Sequence, residues 1–341
     1  MLYFWHNRAK EMMKMTKVAP KQRLYRMDHF KLLAAYFVIF IHSLFPGNYG
    51  IAVKTIARFA VPFFFLCSGF FLYGNKSENI IKKALHILKL FLMAAVVYFV
   101  ATVLLYVLQR DFQGLSDYLH TLIKPSILMR FILFNECAVA GHLWYMAALL
   151  YVYIIYYFIE KLKIPDLITA ISAIVLLTIH LVLWHILLTY KITETTFFVR
   201  NFLFIGFPFV TIGRMMKKHL DQLPRLNLVT VLLLLIVGSV CSLVSRFVFG
   251  NKSVPFGAIV CAITLLLVCV TGKQPQKPRL INAGIYSTYI YLFHPLVITV
   301  YSSVFSAFGF IDRPFPYLEP FVICILATAV AVVCAKLQKK S

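Results

Sequence analysis

RMDHFKLLAAYFVIFIHSLF, residues 26–45, sets a charged head against an apolar run that carries one late histidine, His42. Lys31 and His42 bracket that run. As a helix rising 1.5 Å per residue, the segment puts the two roughly 16 Å apart along its axis. Within a hydrocarbon layer about 30 Å thick, His42 then lies deep, where an imidazole is costly unless it faces a cavity or a partner. It reads either as part of a functional site or as a packing histidine bonded to a neighbouring helix.

Working outward, the 341 residues are 61% hydrophobic and 13% charged, with mean hydropathy +0.84, which excludes an ordinary soluble globule. The fold class is an all-α integral membrane protein. A formal charge of +22 would suggest nucleic acid in a soluble chain. Here the Lys and Arg residues fall mostly between apolar runs and read as topology signals, so no nucleic-acid partner is expected. Seven cysteines, mostly inside apolar runs and without a Cys-x-x-Cys pair, predict neither a disulfide framework nor a metal site.

Apolar runs near 29–45, 55–73, 85–108, 142–159, 167–189, 197–216, 226–249, 255–271, 286–305 and 317–336 have the length of membrane helices, about ten in all. Loops with Lys76, Lys82 and Lys83, with Lys161 and Lys163, with Lys217, Lys218 and Arg225, with Lys273, Lys277 and Arg279, and with Lys339 and Lys340 share one side. The positive-inside rule makes that side cytoplasmic, and with it both termini. The opposite loops hold most of the acids, Asp111, Asp117, Glu136, Glu194, Asp312 and Glu319. Residues 1–25 form a basic cytoplasmic arm suited to anionic headgroups, and residues 26–338 a single membrane domain. The first span, preceded by this arm and followed by no small-residue cleavage pattern, is expected to be retained. Within a long outer loop, 109–141, the stretch 115–134 is too polar to span and predicts an interfacial or re-entrant helix.

Five local patterns carry polar chemistry into these runs. Arg26, Asp28 and Lys31 precede His42; the two cations either hold phosphate oxygens or snorkel to headgroups. Arg58 opens the run Val61-Pro62-Phe63-Phe64-Phe65-Leu66-Cys67-Ser68-Gly69-Phe70, whose Ser68 and Gly69 read as helix packing, since no Gly-x-Ser-x-Gly elbow surrounds the serine. His142-Leu143-Trp144-Tyr145 begins the fourth run; its aromatics are ordinary interface anchors, but its histidine is not explained that way. Arg200-Asn201 opens the sixth, with Gly206, Pro208, Gly213 and Arg214 farther in, a kinked helix fit for a cavity wall or plain topology. Tyr289-Ile290-Tyr291-Leu292-Phe293-His294-Pro295 puts another histidine into the ninth, whereas His180 and His185 read as structural.

The head with Lys31 and His42, the Val61 to Phe70 run, His142 to Tyr145, and Tyr289 to Pro295 resemble, in order, the recurrent blocks of the acyltransferase family 3 membrane proteins. That resemblance implies a multi-pass enzyme of the bacterial cytoplasmic membrane. It implies transfer of an acyl group from cytoplasmic acyl-CoA to a hydroxyl, commonly on an envelope glycan. The family's pattern of a basic residue, ten positions and a histidine maps onto Lys31 and His42, with lysine where many members have arginine. A second basic cluster maps onto Lys82, Lys83 and Lys89 around His86. The Arg200 to Gly213 region and the phenylalanine run are also similar to the membrane half of vancomycin-resistance serine racemases; the 341 residues include nothing like a racemase domain.

The resulting expectation is a membrane O-acyltransferase for an extracytoplasmic or lipid-linked saccharide, with acetyl-CoA the simplest donor and no bound cofactor. His42 is the candidate base or transient acyl carrier, since a histidine can take a hydroxyl proton at neutral pH. Lys31, Arg26, Lys82 and Lys83 are candidates for the CoA phosphates, and Asp28, Arg58, His142, Arg200 and His294 for the acceptor side or support. A transporter of a small polar solute such as an amino acid, with His42, Arg58 and His294 lining its path, is the other reading. A structural scaffold fits poorly with several intramembrane histidines.

Overall fold

The computed structural model describes residues 23–190, 200–250, 254–275, 280–307 and 315–338. The basic arm up to residue 22, and Glu194, Lys277, Arg279, Asp312, Lys339 and Lys340, lie outside the described residues.

Among the described residues the chain is all-helical. The α-helices are α1 (Tyr25–His42), α2 (Gly47–Ala57), α3 (Ala60–Phe70), α4 (Ser77–Leu108), α5 (Phe112–Leu122), α6 (Pro125–Phe134), α7 (Trp144–Lys161) and α8 (Asp166–Thr189). They continue with α9 (Phe207–Lys218), α10 (Leu228–Phe249), α11 (Phe256–Thr271), α12 (Ala283–Ala307) and α13 (Glu319–Gln338). A 3₁₀ turn, Gly141–Leu143, leads into α7, and a π turn, Phe202–Gly206, leads into α9.

Seven helical stretches are long and apolar enough to cross a membrane: Gly47–Phe70, Ser77–Leu108, Gly141–Lys161, Asp166–Trp184, Leu228–Phe249, Ala283–Ser306 and Glu319–Gln338. Three of the ten expected runs fall short of that standard for a physical reason. Arg26, Asp28 and Lys31 occupy the first turns of α1, while α11 has 16 residues and α9 has 12, preceded by the 5-residue π turn. These three lie inside the bundle, where Ala34, Ile39, Phe209, Val210, Ala262 and Leu266 are buried against protein. A helix jacketed by other helices need not match the hydrocarbon thickness by its own apolar length.

Burial separates core from periphery. Gly47–Phe70 and Gly141–Lys161 are 61% buried along their apolar windows, against 17% for α4 and 11% for α10. The faces that α4 and α10 leave uncovered are Leu92, Val96, Leu104, Leu233, Ile236 and Val240, an apolar exterior suited to lipid.

The start of α1 meets the ends of α3 and α11, with Lys31 Nζ 5.0 Å from the Phe71 ring and the Arg26 amide donating to Gln274 Oε1 at 3.2 Å. Its far end meets the start of α13, where Ser43 donates to Glu319 at 3.1 Å. A close crossing joins α3 to α9. A Cβ built on Gly69 would stand 1.9 Å from the Val210 carbonyl oxygen, and one on Gly213 would stand 2.0 Å from that of Leu66. Two backbones in direct contact are what glycine makes possible at a membrane helix interface.

The stretch 115–134, expected as one interfacial helix, is parts of two. Pro125 lacks an N–H and holds Lys124 extended at ψ 130, which divides α5 from α6. Neither helix has a buried residue, so both ride on the surface of the bundle. Asn135, left-handed at φ 54, ends α6 and ties it inward. Its amide donates to the Trp144 carbonyl at 3.1 Å and its oxygen accepts from the Phe202 amide at 2.7 Å.

Candidate active site

The site is built on one proline. Pro295 sits inside α12 and has no N–H, so the carbonyl four residues back, that of Tyr291, loses its helical partner. His294 Nδ1 lies 2.9 Å from that oxygen and 3.1 Å from the Ile290 oxygen. A carbonyl only accepts, so Nδ1 carries the hydrogen and Nε2 the lone pair. His294 is fully buried, and its Nε2 has no hydrogen-bond partner among the described residues.

One residue on, the Tyr98 hydroxyl enters the same break. It donates to the Leu292 carbonyl at 2.8 Å and accepts from the Leu296 amide at 3.2 Å, bridging the two ends of one helical step. His142 Nε2 also donates to the Leu292 oxygen, at 3.1 Å, which leaves its lone pair on Nδ1. The Tyr291 hydroxyl donates in return to the His142 carbonyl. Thus α12, broken at Pro295, orients two imidazoles through carbonyls that an unbroken helix would have used itself.

His42, at the last turn of α1, completes the cluster. Its ring centroid is 5.1 Å from that of His294, and His294 lies 5.5 Å from His142. Unlike the other two it is exposed, because it opens onto a cavity of about 700 Å³. Lys54, Arg58, Tyr98, His142, Trp144, Trp184, Arg200, Tyr291 and Pro295 share that wall. Arg200 stacks over Trp144 at 5.3 Å. Among the described residues no three His, Cys, Asp or Glu side chains converge as metal ligands.

A second cavity of about 200 Å³ lies nearer the start of α1. Lys31, Ser68, His86, Tyr145, Tyr153, Ser287 and Thr288 line it, and Tyr291 forms part of the wall of both cavities. Ser68 donates to the Phe64 carbonyl at 2.9 Å, a helix-internal bond that agrees with its reading as packing rather than nucleophile.

A family model described as an acyltransferase domain, acyltransferase family 3, matches residues 24–336. The chain belongs to this family. An amino-acid racemase from Enterococcus faecalis is 30% identical over 133 residues, which is 38% of this chain and 18% of the racemase. The chain thus matches less than a fifth of that relative's length. No solved structure matches it.

The packing brings together His42, Arg58, His142 and Arg200 on the larger cavity, with His294 next to His42. Lys31 is on the smaller one, with His86. The remaining candidates stand apart from both cavities. Arg26 packs its guanidinium against Gly272, where a Cβ would come within 1.8 Å of it. Asp28 pairs with Arg23 at 2.8 Å and lies against Gly284, at the start of α12. Lys83 donates to the Phe71 carbonyl at 2.6 Å, closing the end of α3, and Lys82 is exposed. His180 is buried in α8.

Lys54, Tyr98 and Tyr291 were not among the sequence candidates. Lys54 had a signal: it precedes Arg58 by four residues, which puts both cations on one helix face. Tyr98 had none, since a tyrosine inside an apolar run looks like packing until its hydroxyl is seen in another helix. A buried ion network was also hidden. Arg214, read as a charged helix end, is 4% exposed and bonds Glu160 at 2.6 Å and Asp166 at 3.3 Å. It tethers α9 to α7 and α8.

Proposed function

We propose that this protein is a membrane acyltransferase, for groups other than aminoacyl groups, that moves an acyl group, acetyl in the simplest case, from cytoplasmic acyl-CoA to a hydroxyl of an extracytoplasmic or lipid-linked saccharide. The observation that carries the reading is His42 opening onto the larger cavity while Tyr291 is common to the walls of that cavity and of a smaller one lined by Lys31. Ten passes of the chain, both termini cytoplasmic and the bacterial cytoplasmic membrane as its location complete the proposal; the alternation of basic and acidic loops supports the topology. The basic arm 1–25, the membrane domain 26–338 and the outer loop 109–141 are its parts.

In this reading the pantetheine arm occupies the smaller cavity and its thioester reaches past Tyr291 to the larger one, with Lys31 and His86 toward the CoA phosphates and the Arg26, Lys82 and Lys83 charges at the same face drawing CoA in. The acceptor occupies the larger cavity. His42 takes the proton of the acceptor hydroxyl, and the oxygen attacks the thioester carbonyl carbon. The resulting oxyanion forms beside the positive charge of Arg58. It collapses with cleavage of the C–S bond, the ester forms, and the proton passes from His42 to the departing thiolate. His294 is a positioning residue: with its hydrogen held on Nδ1, its Nε2, unpartnered among the described residues and on a ring 5.1 Å from that of His42, is the acceptor to which His42 donates once substrate binds, turning the reactive nitrogen to the hydroxyl.

Purified protein in nanodiscs, supplied with labelled acetyl-CoA and envelope saccharide, tests this. Labelled ester is expected from the native protein and none from His42→Gln, which should still bind acetyl-CoA. Absence of ester with any saccharide, together with uptake of a labelled polar solute into proteoliposomes, would replace acyl transfer by transport.

A further inference from the structure

The larger cavity is positively charged well beyond what a neutral sugar needs. Lys54, Arg58 and Arg200 line it, and no carboxylate does so among the described residues. Lys54 and Arg58 are close enough to repel each other, and Arg246 adds its charge to both. The acid whose field reaches Arg200 is Glu136, which is not on the cavity wall and faces Arg130 at 3.9 Å. Lys54 and Arg200 alone bring two like charges into one partly desolvated site, an arrangement that an anion between them relieves.

Resting on the acyl-transfer reading above, we propose that the acceptor is an anionic alcohol, a saccharide bearing a carboxylate or phosphate close to the hydroxyl that is acylated. Two guanidinium groups and an ammonium match either anion, since arginine pairs with planar or tetrahedral oxyanions through two N–H donors. The cations whose field acts on His42 are Arg200 and Lys54. An anion held by those two therefore lies near the imidazole, and the hydroxyl it positions belongs to the same sugar unit. Arg200, stacked on Trp144, presents its charge from a fixed plane. A cavity of about 700 Å³ has room for a charged hexose with space left for the incoming acyl group.

Trp144 and Trp184 both line the cavity, so intrinsic fluorescence reads its occupancy. The protein in neutral-lipid nanodiscs is titrated with glucose, glucuronate and glucose 1-phosphate. At least one anion should bind about tenfold or more tightly than glucose, and Arg200→Gln and Lys54→Gln should each remove about tenfold of that preference. The preference should also fall as potassium chloride is raised, a measurement that needs no variant. Repeating the titration in phosphatidylglycerol nanodiscs separates the sources of the anion: lost response to the soluble sugars assigns the site to a lipid headgroup, and unchanged response to a free or polymer-borne acid. Glucose binding as tightly as both anions, a preference indifferent to salt, or one that survives in both variants overturns the proposal. Acetyl transfer at equal rates to glucose and glucuronate overturns it while leaving acyl transfer intact. A clear anion preference in protein that binds no acetyl-CoA does the reverse.

Discussion

Replacing Gly213 by alanine tests the architecture that carries the site. The new Cβ would stand 2.0 Å from the Leu66 carbonyl oxygen, where ordinary van der Waals contact begins at 3.4 Å. Neither partner can yield by rotating a side chain, because the atom met is backbone. The helices α3 and α9 must therefore move apart by about 1 Å, at a cost of about 1–3 kcal/mol typical of overpacking. The sign is diagnostic. At a helical glycine without a close neighbour, alanine would stabilise by about 1 kcal/mol through propensity alone. Gly69→Ala meets the Val210 oxygen at 1.9 Å at the same crossing, so one separation relieves both overlaps. The double variant should then be less destabilised than the two single effects added, with a coupling of about 1 kcal/mol or more. Thermal unfolding in a single detergent measures all four proteins, and each kcal/mol should appear as a drop of roughly 2–4 °C. A single variant that melts at or above the native temperature, or strict additivity in the double, would refute a backbone-contact crossing.

Other outcomes follow from the site. His42→Gln should lower acyl transfer by about 10²–10⁴-fold, the usual contribution of a general base, with acyl-CoA affinity unchanged in a binding assay. Pro295→Ala should raise the melting temperature by restoring the helical bond to Tyr291, yet lower transfer, because His294 must then compete for that carbonyl; equal activity would disconnect the break from the chemistry. Arg214→Ala should destabilise by about 2–3 kcal/mol, less than a fully buried pair, because Glu160 and Asp166 are 29% and 24% exposed and Lys218 still holds Asp166 at 2.6 Å. Asn135→Ala should lose about 2 kcal/mol with its bonds to Trp144 and Phe202, read in the same unfolding assay.

Membrane class, helical architecture and most helix positions were legible in the sequence, because hydropathy and loop charge are local properties of consecutive residues. Gly69 as a contact between helices was legible for the same reason: a small residue in a bulky run has few other uses. His42 and His294 stood out because a polar side chain within a long apolar run has a cost that must be met somewhere. What met it was invisible. His42, His142 and His294 lie far apart along the chain, and only the packing of α1, α7 and α12 brings their rings together. The same packing sent Arg26 to Gly272 and Lys83 to the end of α3, away from the cavities, although loop charge put all the cations of that face in one class. Hydropathy records what each helix offers to lipid or protein, whereas a cavity is the space that several helices leave unfilled. Which side chains border that space depends on crossing angles and on a break such as Pro295, so tertiary structure alone decided that Tyr98 belongs to the site.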